Sequence, residues 1–361
     1  MSESLPPLYA SWMADLLPGP IPRESRATCD DCAMCSPGQQ GLAGHEEFFD
    51  PKIKCCTYVP VLPNFLIGSI LSDQDPAGAI GRTTVEARIR QGVALTPLGL
   101  AHPPVFSLLY DNSDSAFGHS RTLTCPHYIA DGGRCGIWRH RESTCATWFC
   151  KHVRGAVGYE FWRRSLHQLL MTIENQLARW CVLEVGLDES ALRRLVRTPT
   201  WRREAEEVTG KSIDSCVDET SANELWGRWA GREHEFFIKC SRVVDRLTWP
   251  EVLSVCGPEV RALAQLTQSS YGRLISTEMP RTLKPGEMHV VQITRDTTRV
   301  NSYSSFDPID VPNVVMESLP YFDGRPVAAA LTAIRDEKGL NIELSLIRKL
   351  ADFEMLVAEG H

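Results

Sequence analysis

The sequence predicts an α+β protein, mostly α, in which a cysteine-rich module packs on helices and a winged-helix-like domain closes the chain. Three observations carry this. Nine of the thirteen cysteines crowd into two groups before residue 151; apolar residues then recur at helical spacing through the middle; and a hairpin pattern followed by three short helical patterns ends the sequence. The expected segments are a cysteine-cluster metal-binding module over 1–156, a helical region over 157–275 and a winged-helix-like domain over 276–361.

The first segment is rich in Pro, Gly and Cys, with short apolar pieces at 58–71 and 105–110, a texture of loops pinned by a cofactor. From Val157 the texture changes. Phe161, Leu166, Leu169, Leu170, Ile173, Leu177, Trp180 and Cys181 fall at three- and four-residue steps, one face of a long amphipathic helix that should pack on the cysteine module. Ser221-Ala-Asn-Glu224 and Thr248-Trp-Pro-Glu251 have capping-box spacing and mark two further helix starts. Trp226, Trp229, Phe236 and Phe237, at helical spacing, read as core rather than as a ligand box.

Residues 288–293 and 299–303 read as two strands joined around Asp296-Thr297-Thr298. Helical patterns follow at Val315, Leu319 and Phe322, at Val327, Leu331 and Ile334 ending at Gly339, and at Leu346, Ile347, Leu350 and Phe353.

With 361 residues, 43% hydrophobic and 23% charged, and a net charge of −7, the chain has the balance of an ordinary globular protein. The acidic balance argues against nucleic acid as a partner. The N-terminal stretch has no positive charge before Arg23, unlike a signal peptide, and no apolar run approaches the roughly 18 residues of a spanning helix. These features predict a cytoplasmic protein with no membrane partner, whose thiols stay reduced rather than paired in disulfides.

Chemistry concentrates in the cysteines. Cys29-Asp-Asp-Cys32-Ala-Met-Cys35 is a C-x2-C-x2-C run whose short steps let successive sulfurs turn toward one centre; Cys55-Cys56 and then Cys125, Cys135, Cys145 and Cys150 extend the set. All nine are candidate metal ligands. Nine thiolates exceed the four of one zinc site or one [4Fe-4S] cluster, so either two centres exist or some cysteines are spectators. In an extended segment Cys55 and Cys56 point to opposite faces, and both serve one centre only where the backbone bends.

The donor set suits an iron-sulfur cluster, [4Fe-4S] first, or zinc. His119, His127, His140 and His152 lie nearby and could complete a mixed site; the favoured reading makes them supporting or surface groups, since the sulfurs already suffice. Cys181, Cys216, Cys240 and Cys256 stand apart among helical patterns as small buried hydrophobes. Between Arg134 and Arg164 seven basic residues, Arg134, Arg139, Arg141, Lys151, Arg154, Arg163 and Arg164, face only Glu142 and Glu160; the choice lies between cations offsetting thiolate or substrate charge and an ordinary solvated face.

The C-x2-C-x2-C run, the Cys55-Cys56 pair and the stretch Cys135-Gly-Ile137-Trp138-Arg-His-Arg141-Glu-Ser-Thr-Cys145 with Cys150 just beyond resemble the YkgJ-type family of zinc- or iron-chelating cysteine-cluster proteins. The resemblance covers about residues 29–151, and departs at Glu142, where the family more often has proline. The family includes flagellin lysine N-methylase, which implies that such a cluster can sit in a protein-modifying enzyme. At the other end, Ser302-Tyr303 through Pro312, Phe322-Asp-Gly-Arg325 and 349–356 resemble the PqqD-type winged helix that binds leader peptides. Five basic and five acidic residues between 323 and 352 leave no positive face for DNA. The expectation is a metal-binding protein acting on a protein or peptide substrate; the competing expectation is a non-enzymatic, zinc-stabilised interaction or metal-handling protein.

Ala205-Glu-Glu-Val-Thr-Gly210-Lys211-Ser212 mimics a relaxed phosphate loop, but it lacks the glycine-rich backbone, and Glu206 and Glu207 would repel phosphate.

Overall fold

The computed structural model describes residues 5–25, 29, 32–35, 49–113, 116–196 and 219–358. The 205–212 run and Cys216 lie outside the described residues. Helices dominate and the strands form only small sheets, an α+β arrangement that is mostly α. The chain divides into two compact units, neither continuous in sequence. The first takes Met1–Pro20, Phe49–Trp148 and His167–Gln265; the second takes Ile21–Phe48, Phe149–Leu166 and Leu266–His361. The two units do not break at residues 156 and 275.

In the first unit the helix Asn64–Ser72 runs through the core, with Phe65, Leu66, Ile67 and Ile70 buried. Gly68 lets it approach the helix Glu233–Val244 closely: a Cβ there would stand 1.9 Å from the Phe237 carbonyl oxygen. Asn64 ties the helix start to two segments, its amide donating to Pro97 O at 2.9 Å and Ala178 O at 2.8 Å. Trp226, Trp229, Phe236 and Phe237 are buried and meet edge to face, as core aromatics do.

The predicted long helix is present. Gly155–Tyr159 is α-helical, Glu160–Leu166 is wound as π-helix, and His167–Glu184 is α-helical again. In the last part Leu169, Leu170, Ile173, Leu177 and Cys181 form the buried face, each apolar side chain contributing about 1.5–3 kcal/mol by its removal from water. The short helix Ser143–Thr147, which carries Cys145, rests against it: Thr147 Oγ1 lies 3.1 Å from His167 Nδ1.

Of the two expected helix starts one is as read. The Glu251 carboxylate accepts the Thr248 backbone N–H at 2.8 Å, opening the helix Trp249–Ile275, which kinks at Gly257 (φ 79°) ahead of Pro258. The other is earlier than expected. Its helix spans Glu219–Trp226, so Ser221 lies inside the first turn instead of capping it.

In the second unit the predicted hairpin pairs His289–Ile293 with Thr297–Asn301, and Ile309–Pro312 adds an unforeseen third antiparallel strand. Arg299 spans the new pair with two 2.8 Å bonds to Asp310. The turn is 294–296, since Thr297 and Thr298 already belong to the strand. Helices Asn313–Met316, Val327–Lys338 and Leu344–Asp352 follow, the second stopped by Gly339 in the left-handed region (φ 67°). Leu283–Pro285 pairs with Leu356–Ala358, and Val300, Phe322, Ile334, Ile347, Phe353 and Met355 fill one core. Among the described residues no helix is long and apolar enough to cross a membrane.

Candidate functional site

Five of the nine candidate cysteines, Cys55, Cys56, Cys125, Cys135 and Cys145, belong to the first unit, where three local structures present them. Cys55 and Cys56 sit in a tight turn. Lys54 takes the left-handed region (φ 55°) and the Cys56 N–H reaches back to Ile53 O at 3.0 Å, so the backbone bends where both thiols would otherwise diverge. Cys125 leads into, and Cys135 ends, the hairpin of Tyr128–Ile129 and Arg134–Cys135, in which Tyr128 pairs with Cys135. Cys145 lies on the Ser143–Thr147 helix.

Main-chain bonds join the turn to the hairpin: the Cys125 N–H donates to Cys56 O at 2.8 Å, and Lys54 Nζ donates to Gly133 O at 3.1 Å. Cys125 and Cys135 lie within electrostatic reach of the other three sulfurs. Cys56 feels Cys55, Cys135 and Cys125, and Cys145 feels Cys135 and Cys125.

Two sulfurs are set up as acceptors. The backbone N–H of His127 donates to the Cys125 sulfur and that of Ile137 to the Cys135 sulfur, each two residues downstream, a bond that favours the thiolate. Arg141 adds positive charge, acting on Cys55 and Cys135; its guanidinium stacks 3.5 Å from the Trp138 ring centre and donates to Trp138 O at 3.1 Å. Opposing these, burial pushes the Cys125 thiol up to about 12 and also raises Cys135 and Cys145. Cys55 goes the other way, down to about 7, because the Cys56 thiol donates to it.

Among the described residues no three His, Cys, Asp or Glu side chains close into a coordinating group. Thiolates repel one another, and such a set closes only when a cation offsets the repulsion. The donor chemistry nevertheless fits a metal centre: soft sulfur ligands, two of them with N–H donors in place, beside a buried arginine.

The other four candidates, Cys29, Cys32, Cys35 and Cys150, belong to the second unit. The Cys35 N–H bonds Cys32 O at 2.8 Å, giving the C-x2-C step the expected turn. Upstream of the run, buried Glu24 accepts the Val153 N–H at 2.7 Å and Trp162 Nε1–H at 3.1 Å. No disulfide joins the described cysteines.

Glu142, the departure from the family pattern, is the N-cap of the Cys145 helix: its carboxylate accepts the Thr144 and Cys145 N–H groups at 2.5 and 2.9 Å. Beside it lies a residue that the sequence did not single out. Glu174 is buried, accepts the Ser143 N–H at 2.7 Å and Ser143 Oγ–H at 2.6 Å, and receives the Tyr9 hydroxyl. Burial, then the nearby Glu142, push its carboxyl up to about 8 despite those bonds. No local spacing announces such a group; the only sequence signal is a lone Glu on the apolar face of the long helix.

Of the seven basic residues, Arg141 faces the thiols, whereas Arg139 pairs with Asp75, Arg164 with Glu160, and Arg154 with Asp352. Those three fit the reading of ordinary charge compensation. Among the histidines, His140 pairs with Asp73 at 2.9 Å, His119 is exposed, and His152 is buried in the second unit with Nδ1 3.4 Å from Tyr303 Oη. His127 is fully buried beside Cys125, and burial with the Arg88 charge lowers it to about 3.

Cys135 also lines a cavity of about 530 Å³ with Asp73, Arg134, Ile137, Trp138 and His140. Comparison with protein-family models, curated proteins and solved structures finds no match to this chain.

Proposed function

We propose that the chain is a metal-binding cysteine-cluster protein. The observation that carries this reading is the pair of downstream backbone N–H bonds onto Cys125 and Cys135, in electrostatic reach of three more thiols. Buried thiols supplied with donors that only a thiolate exploits fully are in conflict until a cation arrives. Cys55, Cys56, Cys125, Cys135 and Cys145 form one ligand pool, and Cys29, Cys32, Cys35 and Cys150 a second. The metal is an iron-sulfur cluster, [4Fe-4S] first, or zinc.

The cavity beside Cys135 favours an elaboration as a protein- or peptide-modifying metalloenzyme, because a catalytic centre needs an open approach and a closed one serves structure. In that elaboration the C-terminal sheet and helices act as a winged-helix-like recruiter of the peptide. The competing reading, a zinc-stabilised interaction or metal-handling protein, draws on the burial of Cys125, which is only 8% exposed. Both readings place the protein in the cytoplasm.

Anaerobic purification with metal analysis and an absorption spectrum tests the proposal. A brown protein that reductant bleaches supports the cluster, and a colourless one with stoichiometric zinc supports the alternative metal. Protein that takes up neither metal ends both.

A further inference from the structure

Thr84 and His127 fix where one buried proton lies. Thr84 Oγ1 donates to Gly81 O at 2.8 Å and also stands 2.8 Å from His127 Nδ1. A hydroxyl has a single proton, so with that proton on Gly81 O the second bond must run from Nδ1–H to Oγ1. Nδ1 thus holds the ring proton and Nε2 is a bare lone pair. That atom is buried in a residue that is 0% exposed, and among the described residues no group bonds it.

A second orphan lies close by. Arg88 is 6% exposed; its Nη2 donates to Ala101 O at 2.7 Å while Nη1 has no partner among the described residues. The Arg88 charge acts on both His127 and Cys125. The His127 main chain belongs to the cysteine hairpin, its N–H on the Cys125 sulfur and its carbonyl accepting the Gly136 N–H at 2.8 Å. The fold therefore leaves an unused acceptor on His127, two residues from Cys125, and an unused cationic donor on Arg88, whose charge acts on that thiol. Buried polar atoms are seldom left so, and a metal-thiolate centre uses both: the lone pair as a ligand, the N–H toward a ligating sulfur.

We propose that His127 Nε2 is a ligand of the metal centre to which Cys125 and Cys135 belong, with Thr84 as the group that fixes its tautomer. The donor set becomes mixed nitrogen and sulfur instead of all sulfur, and Thr84 fills the outer-shell role that ligating histidines ordinarily require. This inference rests on the proposed metal centre.

X-ray absorption at the edge of the resident metal, or of zinc after reconstitution, tests it on the intact protein. Wild type should show imidazole scattering and a nitrogen near about 2.0–2.1 Å beside the sulfurs. His127→Ala should lose the imidazole signal and bind Co2+ at least about tenfold more weakly, and Thr84→Val, a milder change, should weaken Co2+ binding by about 10- to 100-fold with unchanged circular dichroism. A wild-type shell of sulfur alone, or an imidazole signal that survives in His127→Ala, overturns the assignment and leaves the orphan atoms to a buried water only. Wild-type protein that binds no metal overturns the metal centre as well, so the two failures are distinguishable.

Discussion

Two pairs of cysteines in the same unit behave in opposite ways. Cys181 and Cys240 meet between the helices His167–Glu184 and Glu233–Val244, where the Cys181 thiol donates to the Cys240 carbonyl at 3.8 Å. Cys125 and Cys135 meet across a hairpin, where their sulfurs accept backbone N–H groups. Desolvation raises the thiols of Cys125, Cys135 and Cys240 alike and separates nothing. The hydrogen-bond donors do: the Cys181 thiol gives its proton to a carbonyl, whereas Cys125 and Cys135 each accept the N–H of the residue two positions downstream, which favours the thiolate.

The strongest way to break this contrast is to exchange serine for sulfur on each side. Cys135→Ser should lose bound metal, while the hairpin keeps the main-chain bonds that fasten it to the Cys55-Cys56 turn. Cys181→Ser should keep full metal content by elemental analysis. Equal metal content in the two variants would erase the distinction.

Gly68→Ala probes the helical side alone. Its added Cβ meets the Phe237 carbonyl, and the helix carrying Cys240 must shift, at a cost of about 3 kcal/mol in denaturant unfolding. If the hairpin is an independent ligand platform, metal stoichiometry in the folded fraction stays unchanged.

A smaller effect is written in pH. Glu174 holds its proton up to about 8 in the folded chain, whereas the ordinary carboxyl value is 4.5, so between those values the folded state binds the extra proton. Its contribution is fully present below about 4.5 and is lost progressively as pH rises from there through 8, a change of about 2 kcal/mol allowing for relaxation around the site. Glu174→Gln should flatten that slope in unfolding titrations. A wild-type stability that rises over the same window would contradict it. Smallest of all, Glu251→Ala removes the Thr248 cap and should cost about 1 kcal/mol with no effect on metal content.

Local patterns carried much of the fold. Helical spacing from Phe161 to Cys181, the Thr248 to Glu251 cap, the core aromatics of 226–237 and the stop at Gly339 each depend on neighbours within a few residues, and each is present. The strand Ile309–Pro312 was not legible, because a short run with prolines shows its identity only through its partner Thr297–Asn301. The interleaved units were hidden for the same reason.

At the site, spacing identified which cysteines to watch, and the turn at Cys55-Cys56 answers the geometric demand that two adjacent thiols raise. Spacing was silent on Glu174, whose partner Tyr9 is 165 residues away, and on the tautomer of His127, which depends on Thr84 in the helix Ala79–Gln91. Long-range hydrogen bonds leave no periodic trace in a sequence.

In the proposed metal site, the bond from the Cys125 N–H to Cys56 O would bear on how fast an ion leaves and returns. Backbone, not cargo, fastens the turn to the hairpin, so departure of an ion leaves those sulfurs at nearly the same effective concentration for the next one. Recapture then outruns diffusion of the ion away from the protein. A chelator will strip such a site on a timescale set by local opening of that one bond, and the protection of the Cys125 amide against hydrogen exchange is the clock that reads it.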